Sequence, residues 1–101
     1  MIYWTDIALA DMENIREFIA RDSEYYALRF IEKMIESVEK LRWFPAMGRK
    51  VPEYREKEIR EIIFQSNRIL YREESNDILI LTIIHAGRDL ERIEPKPWEI
   101  L

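Results

Sequence analysis

The stretch IREIIFQSNRILYREESNDILILTIIH, residues 59–85, decides the fold. It reads as three β-strands, 59–64, 68–73 and 78–85, each rich in isoleucine, leucine, phenylalanine or tyrosine. Gln65-Ser66-Asn67 and Glu74-Ser75-Asn76-Asp77 are short polar connections between them. Strands joined by such short turns form an antiparallel meander, because a parallel crossover needs a dozen residues or more. The third run is apolar on both faces, which marks it as the central, most covered strand.

Upstream, the grammar is helical. Ile2-Tyr3-Trp4 is a short β-prone start that suits a sheet edge. Thr5 or Asp6 then caps a helix over about 6 to 20. Ala8, Met12, Ile15 and Ile19 recur at helical spacing, and Phe18 widens the stripe. Asp11, Glu13, Arg16 and Glu17 read as its solvated positions. Asp22-Ser23 offers a second cap. Ala27, Phe30, Ile31, Met34, Ile35, Val38 and Leu41 then form one broad apolar face, closed by Pro45 and Gly48. Neither helix can bury its stripe alone, so the pair is expected to form a hairpin against the sheet. The predicted fold class is α+β, with an N-terminal helical hairpin packed on a small antiparallel sheet. One domain is expected over residues 1–101, with 90–101 as a C-terminal tail. Within that tail, Pro95 and Pro97 oppose a long helix. Trp98, Ile100 and Leu101 are expected to pack on the body or on a partner.

Composition narrows the chemistry. With 101 residues the chain can bury one modest core. There is no cysteine, which excludes disulfides and thiolate catalysis. There is a single histidine, His85, and no metal-ligand spacing or phosphate-binding glycine loop. No metal and no cofactor are expected. The longest apolar run is too short for a membrane-spanning helix, and the first residues lack the pattern of a signal peptide. A cytoplasmic protein without a membrane partner is therefore expected. The net charge of −4 argues against broad electrostatic capture of nucleic acid.

The residues with most chemical potential are cationic. Arg60 lies on the first strand of the meander, Arg68 and Arg72 on the second. His85 and Arg88 sit at and beyond the end of the third. Arg49 precedes the sheet. A meander brings part of this set to one surface, where guanidinium forks suit phosphate or carboxylate groups. The plainer expectations are that Arg68 and Arg72 pair with Glu61, Glu73 or Glu74, that Arg60 marks a solvent face, and that Tyr54 and Tyr71 serve packing.

In this order, the motifs resemble the RelE/ParE superfamily of toxins from toxin–antitoxin modules. The likeness covers nearly the whole chain: Trp4, Ala8 and Asp11-Met12-Glu13-Asn14-Ile15; Leu41, Pro45 and Gly48-Arg49; Ile59-Arg60-Glu61; Arg68-Ile69-Leu70-Tyr71-Arg72; and Ile83-Ile84-His85-Ala86-Gly87-Arg88-Asp89-Leu90. The Pro…Gly-Arg segment and the His…Gly-Arg-Asp-Leu ending look nearer to the ParE, plasmid-stabilisation side. The resemblance implies a cognate antitoxin partner and a toxin–antitoxin hetero-oligomer. It implies one of two targets, DNA gyrase inhibited by protein binding or messenger RNA cleaved on the ribosome. A degenerate toxin that retains only antitoxin binding is the third alternative. ParE-like gyrase inhibition is the preferred expectation. For RNA cleavage, His85 would act as base or acid, Arg60 and Arg88 would clamp phosphate, and Tyr71 would be a reserve proton donor. The tail departs from the nuclease pattern, since it contains no tyrosine. For target binding the candidates are Arg49, Arg60, Arg68, Arg72, Arg88 and Trp98.

Overall fold

The computed structural model describes residues 1–53 and 58–87. Five strands form one sheet: β1 (Ile2–Trp4), β2 (Arg49–Lys50), β3 (Ile59–Phe64), β4 (Asn67–Glu74) and β5 (Asp77–His85), in the order β1-β5-β4-β3-β2. Two helices, α1 (Asp6–Ala20) and α2 (Glu24–Glu39), form the second layer. The α+β architecture expected from the sequence is the one observed. Arg88, Trp98 and the tail from residue 90 lie outside the described residues, as do Tyr54 and residues 55–57.

The caps fall where the residue types place them. The Thr5 hydroxyl accepts from the amide of Ala8 at 3.0 Å and donates to the carbonyl of Leu81 at 2.7 Å. It starts α1 and ties that start to β5. Ser23 caps α2, accepting from the Tyr26 amide at 3.0 Å.

The meander forms with tighter turns than the sequence reading gave. Asn67, Glu74 and Asp77 join the strands, with Phe64 opposite Asn67 and Glu74 opposite Asp77. Two-residue turns remain, Gln65-Ser66 and Ser75-Asn76. Gln65 and Ser75 each adopt a positive φ of 55°, as the handedness of short hairpin turns demands. β4, not β5, occupies the centre of the sheet. β1 adds parallel to the outer side of β5, with Ile2 opposite Ile78 and Trp4 opposite Ile80, so the sheet is mixed at that edge. β5 is still covered along most of its length, as its two-sided apolar sequence requires.

The alternation along the strands splits the core in two. Ile69, Tyr71, Ile78, Ile80 and Ile83 face the helices and meet Ala8, Met34, Val38 and Leu41. Val51, Ile59, Leu70, Leu81 and Ile84 form a second cluster, with Leu79 packed against it. Arg68 and Glu61 share the parity of Leu70 in the ladder and so lie on the face away from the helices.

Two positions on α1 differ from the amphipathic reading. Phe18 is exposed and does not join the core. Asp11 is half-buried. Its carboxylate accepts from the Thr82 hydroxyl and, at 3.0 Å, from the Ile83 amide. The reason lies in β5. The ladder slips between Leu70 and Tyr71, which face Thr82 and Ile80 and leave Leu81 without an opposite residue. A bulge of this kind disturbs the neighbouring ladder, and Asp11 supplies an acceptor beside it. Replacing Asp11 by alanine would strand an amide and a hydroxyl, which costs about 1–3 kcal/mol. Asp11→Ala is therefore expected to lower unfolding free energy by that order in a urea titration, with Asp11→Asn intermediate.

Candidate functional site

The segment between α2 and β3 is built around Tyr71. The Tyr71 ring is fully buried. Its hydroxyl donates to the carbonyl of Pro45 at 2.7 Å and accepts from the amide of Gly48 at 2.9 Å. Arg60, opposite Tyr71 in the ladder, donates through Nη1 to the carbonyl of Gly48 at 2.9 Å. Glycine is required at position 48 by space. A Cβ there would stand 2.6 Å from the Glu61 carbonyl oxygen and 2.6 Å from the Tyr71 hydroxyl. The Pro…Gly-Arg motif is thus a docking device that seats β2 on β3, with Arg49 opposite Glu61.

Burial pushes the Tyr71 hydroxyl above the ordinary tyrosine range, against the opposing effect of the Gly48 amide. Both of its hydrogen-bonding roles are taken by backbone groups. Arg60 is likewise occupied by Gly48, which answers the expectation of a merely solvent-facing side chain.

On the face away from the helices, Glu61 is the hub of a charge cluster. Arg68 donates to both Glu61 carboxylate oxygens, from Nε at 2.6 Å and from Nη2 at 2.7 Å. The same guanidinium donates to Glu53 at 3.0 and 3.1 Å. Arg49 adds a longer contact to Glu61 at 3.3 Å and keeps most of its side chain in solvent. Arg68 is held charged well above the ordinary guanidinium value by its bonds to Glu61 and Glu53. Its hydrogen bonds to Glu53 hold that carboxyl below the usual range, burial opposing them. Arg72 pairs with Glu74, and its Nε finds no partner among the described residues.

The sequence-derived candidates therefore divide. Arg49, Arg60, Arg68 and Tyr71 do come together, but through bonds among themselves, the Gly48 turn and two glutamates. His85 stands apart at the exposed end of β5, where its Nδ1 accepts from the Gly87 amide at 3.3 Å. It lines a cleft of about 420 Å³ with Asp11, Asn14, Phe18, Phe30 and Asn67. Among the described residues, none of Arg49, Arg60, Arg68 and Arg72 is a hydrogen-bond or ion-pair partner of His85.

Sequence reasoning missed one surface. Trp43 and Phe44, 76 % and 65 % exposed, stand beside exposed Met47 on the turn that follows α2. The turn is not loose. The amides of Trp43 and Phe44 both donate to the Lys40 carbonyl, the Met47 amide donates to Phe44, and Tyr71 holds Pro45. The signal available was the run Arg42-Trp43-Phe44-Pro45, in which two large aromatic residues follow the end of the helical stripe.

This geometry can be set beside known proteins. A family model described as the ParE toxin of the type II toxin–antitoxin system, parDE, matches residues 2–90. The chain belongs to the ParE toxin family. It is the toxin component of a ParDE/RelE-type toxin–antitoxin module, and this membership implies a cognate antitoxin. A solved structure titled chromosomal ParDE toxin–antitoxin system from P. aeruginosa has the same fold, with a TM-score of 0.72 at 21 % identity. The match covers 85 % of this chain and 95 % of that one. Comparison with curated proteins found no match.

The Glu53–Arg68 bond makes part of this toxin's stability depend on pH. Glu53 has a lower pKa folded than its ordinary value of 4.5, so its contribution is complete above that value and is lost as pH falls through the folded pKa. Glu53→Gln is expected to lower the urea midpoint at pH 7. The gap from the unsubstituted protein should close as the titration is repeated at successively lower pH below 4.5.

Proposed function

We propose that this ParE-family toxin arrests growth in the cytoplasm by binding DNA gyrase, and that it acts through surface contact instead of RNA cleavage. The observation that carries the reading is the division of the candidate residues. Tyr71, Arg60 and Arg68 are each engaged inside the protein, whereas Trp43, Phe44 and Met47 are displayed on a braced turn. Cleavage of RNA needs a base, an acid and free cationic donors converging on one phosphate. Here the buried phenol is saturated, Arg68 is neutralised by two glutamates, and His85 is separate from both.

Inhibition of a large enzyme by a small protein makes a different demand. It needs a few large side chains that lose little freedom on binding, and tryptophan and arginine are the residue types that most often dominate such interfaces. Trp43 and Phe44, with the solvent-exposed Arg49 beyond Gly48, meet that demand. The net charge of −4 also suits a protein target better than indiscriminate contact with RNA. The antitoxin would hold the toxin in a hetero-oligomer until it is released.

The test is a pair of reactions with purified toxin, gyrase supercoiling and message cleavage on translating ribosomes. The expected result is loss of supercoiling with intact message, reversed by the antitoxin. Codon-spaced cleavage of the message with active gyrase would overturn the proposal.

A further inference from the structure

The cleft of about 420 Å³ at the end of β5 combines features that neither the core nor the gyrase proposal uses. Both helices and the adjoining ends of β4 and β5 line it, and most of its wall is apolar. Ile15 and Ile83 give it aliphatic surface, and Phe18 and Phe30 give it rings. Phe30 is fixed by an edge contact with Phe64, their centroids 5.2 Å apart. Phe18 is 68 % exposed, a large ring left in water on the wall.

Four polar side chains interrupt this wall: Asp11, Asn14, Asn67 and His85. Asp11 is the one carboxylate among the lining residues, and no lysine or arginine lines the cleft. Both bonds from Asp11 to β5, from the Thr82 hydroxyl and the Ile83 amide, end on Oδ2. Oδ1 has no partner among the described residues and is not sealed from solvent. Asn14 is exposed and Asn67 half-buried, and each brings an amide oxygen. The setting is acidic as well. α1 carries four carboxylates and one arginine, and that arginine is bound to Glu13.

We propose that this cleft binds a small aliphatic guanidinium compound, its charged head on Asp11 Oδ1 and its alkyl stem along the isoleucines. An anion would meet a carboxylate with no cation beside it in the cleft. A calcium-type ion would need six or more oxygen ligands, and no group of three side chains able to hold a metal exists among the described residues. A purely apolar ligand would strip water from Asp11 without replacing its hydrogen bonds. An organic cation satisfies both halves of the wall. Guanidinium suits it better than ammonium, being flat, weakly hydrated and rich in coplanar donors that reach Oδ1 and an asparagine oxygen together. The Phe18 ring already attracts one such group, since Cζ of Arg21 stands 5.7 Å from its centroid. The volume lies within the range of small-molecule sites, roughly 300–1,000 Å³. A ligand here would engage the second oxygen of the carboxylate that serves the β5 bulge, and would stabilise the fold by mass action. The chemistry of the cleft does not depend on gyrase being the toxin's target.

The experiment is calorimetric titration of the full-length toxin with n-butylguanidinium, its neutral isostere n-butylurea, and n-butylammonium. Saturable binding of n-butylguanidinium is expected, at least tenfold tighter than n-butylurea and tighter than n-butylammonium. Two variants test the site, each first checked for folding by circular dichroism. Asn14→Lys puts a cation at an exposed position of the wall, and Asp11→Asn removes the charge. Each is expected to weaken n-butylguanidinium at least tenfold. Glu73→Lys, an exposed charge reversal roughly 20 Å along β4 from Asn67, should stay within twofold. A capped Gly-Arg-Gly peptide should bind no tighter than n-butylguanidinium. Absence of saturable binding up to about 10 mM, or a smaller gap to n-butylurea, would overturn the proposal. So would a smaller loss in Asn14→Lys, which keeps the test decisive if Asp11→Asn fails to fold. Tighter binding of n-butylammonium or of the peptide would overturn the assignment to a free guanidinium compound.

Discussion

The approach of Gly48 to the Tyr71 hydroxyl is the constraint on which the sheet's outer half depends. One phenolic oxygen bridges Pro45 and Gly48, and Arg60 takes the remaining Gly48 carbonyl. This closes the chain's exit from α2 onto β3. It permits the two-residue strand Arg49–Lys50 to pair, sets Arg49 opposite Glu61, and leads into Val51, which is buried in the second core cluster. The same bonds brace the turn that displays Trp43 and Phe44. A residue with a Cβ at position 48 would meet both backbone and ring, neither of which can yield cheaply.

Electrostatics then decide what the cationic residues are free to do. A buried guanidinium without partners would be prohibitively costly, so Arg68 is surrounded by Glu61 and Glu53. Removing one member of such a cluster leaves buried charge uncompensated. The consequence is an arginine-rich face whose central charge is already satisfied. The helical layer has a more acidic composition, with nine carboxylates against four cationic side chains over residues 6–39. One small fold thereby presents two chemically distinct surfaces.

Much of this was legible in the sequence. Helical periodicity gave both helices and their caps, and the strand–turn alternation at 59–85 gave the meander, because backbone periodicity is a local property. The pairing of Arg68 with Glu61 and of Arg72 with Glu74 was also among the expected outcomes. What local patterns could not supply was strand order and long-range polar bonding. β4 became central because β1 paired from the far end of the chain. Asp11 looked solvated on its helix, yet serves a bulge more than seventy residues away. Phe18 had core spacing but stands exposed on the wall of the cleft beside His85. For the site, the residue types were found, but not their allegiance. Whether an arginine meets a ligand or a glutamate depends on the register of neighbouring strands, which no single segment records.

The most direct test of the account is supercoiling inhibition by folded His85→Ala and Trp43→Ala/Phe44→Ala variants, each assayed well below its unfolding midpoint. If contact alone makes the toxin, His85→Ala should inhibit as strongly per folded molecule as the unsubstituted protein, and the double aromatic variant should lose inhibition. A folded His85→Ala variant that no longer inhibits gyrase, beside an aromatic variant that still does, would contradict the account.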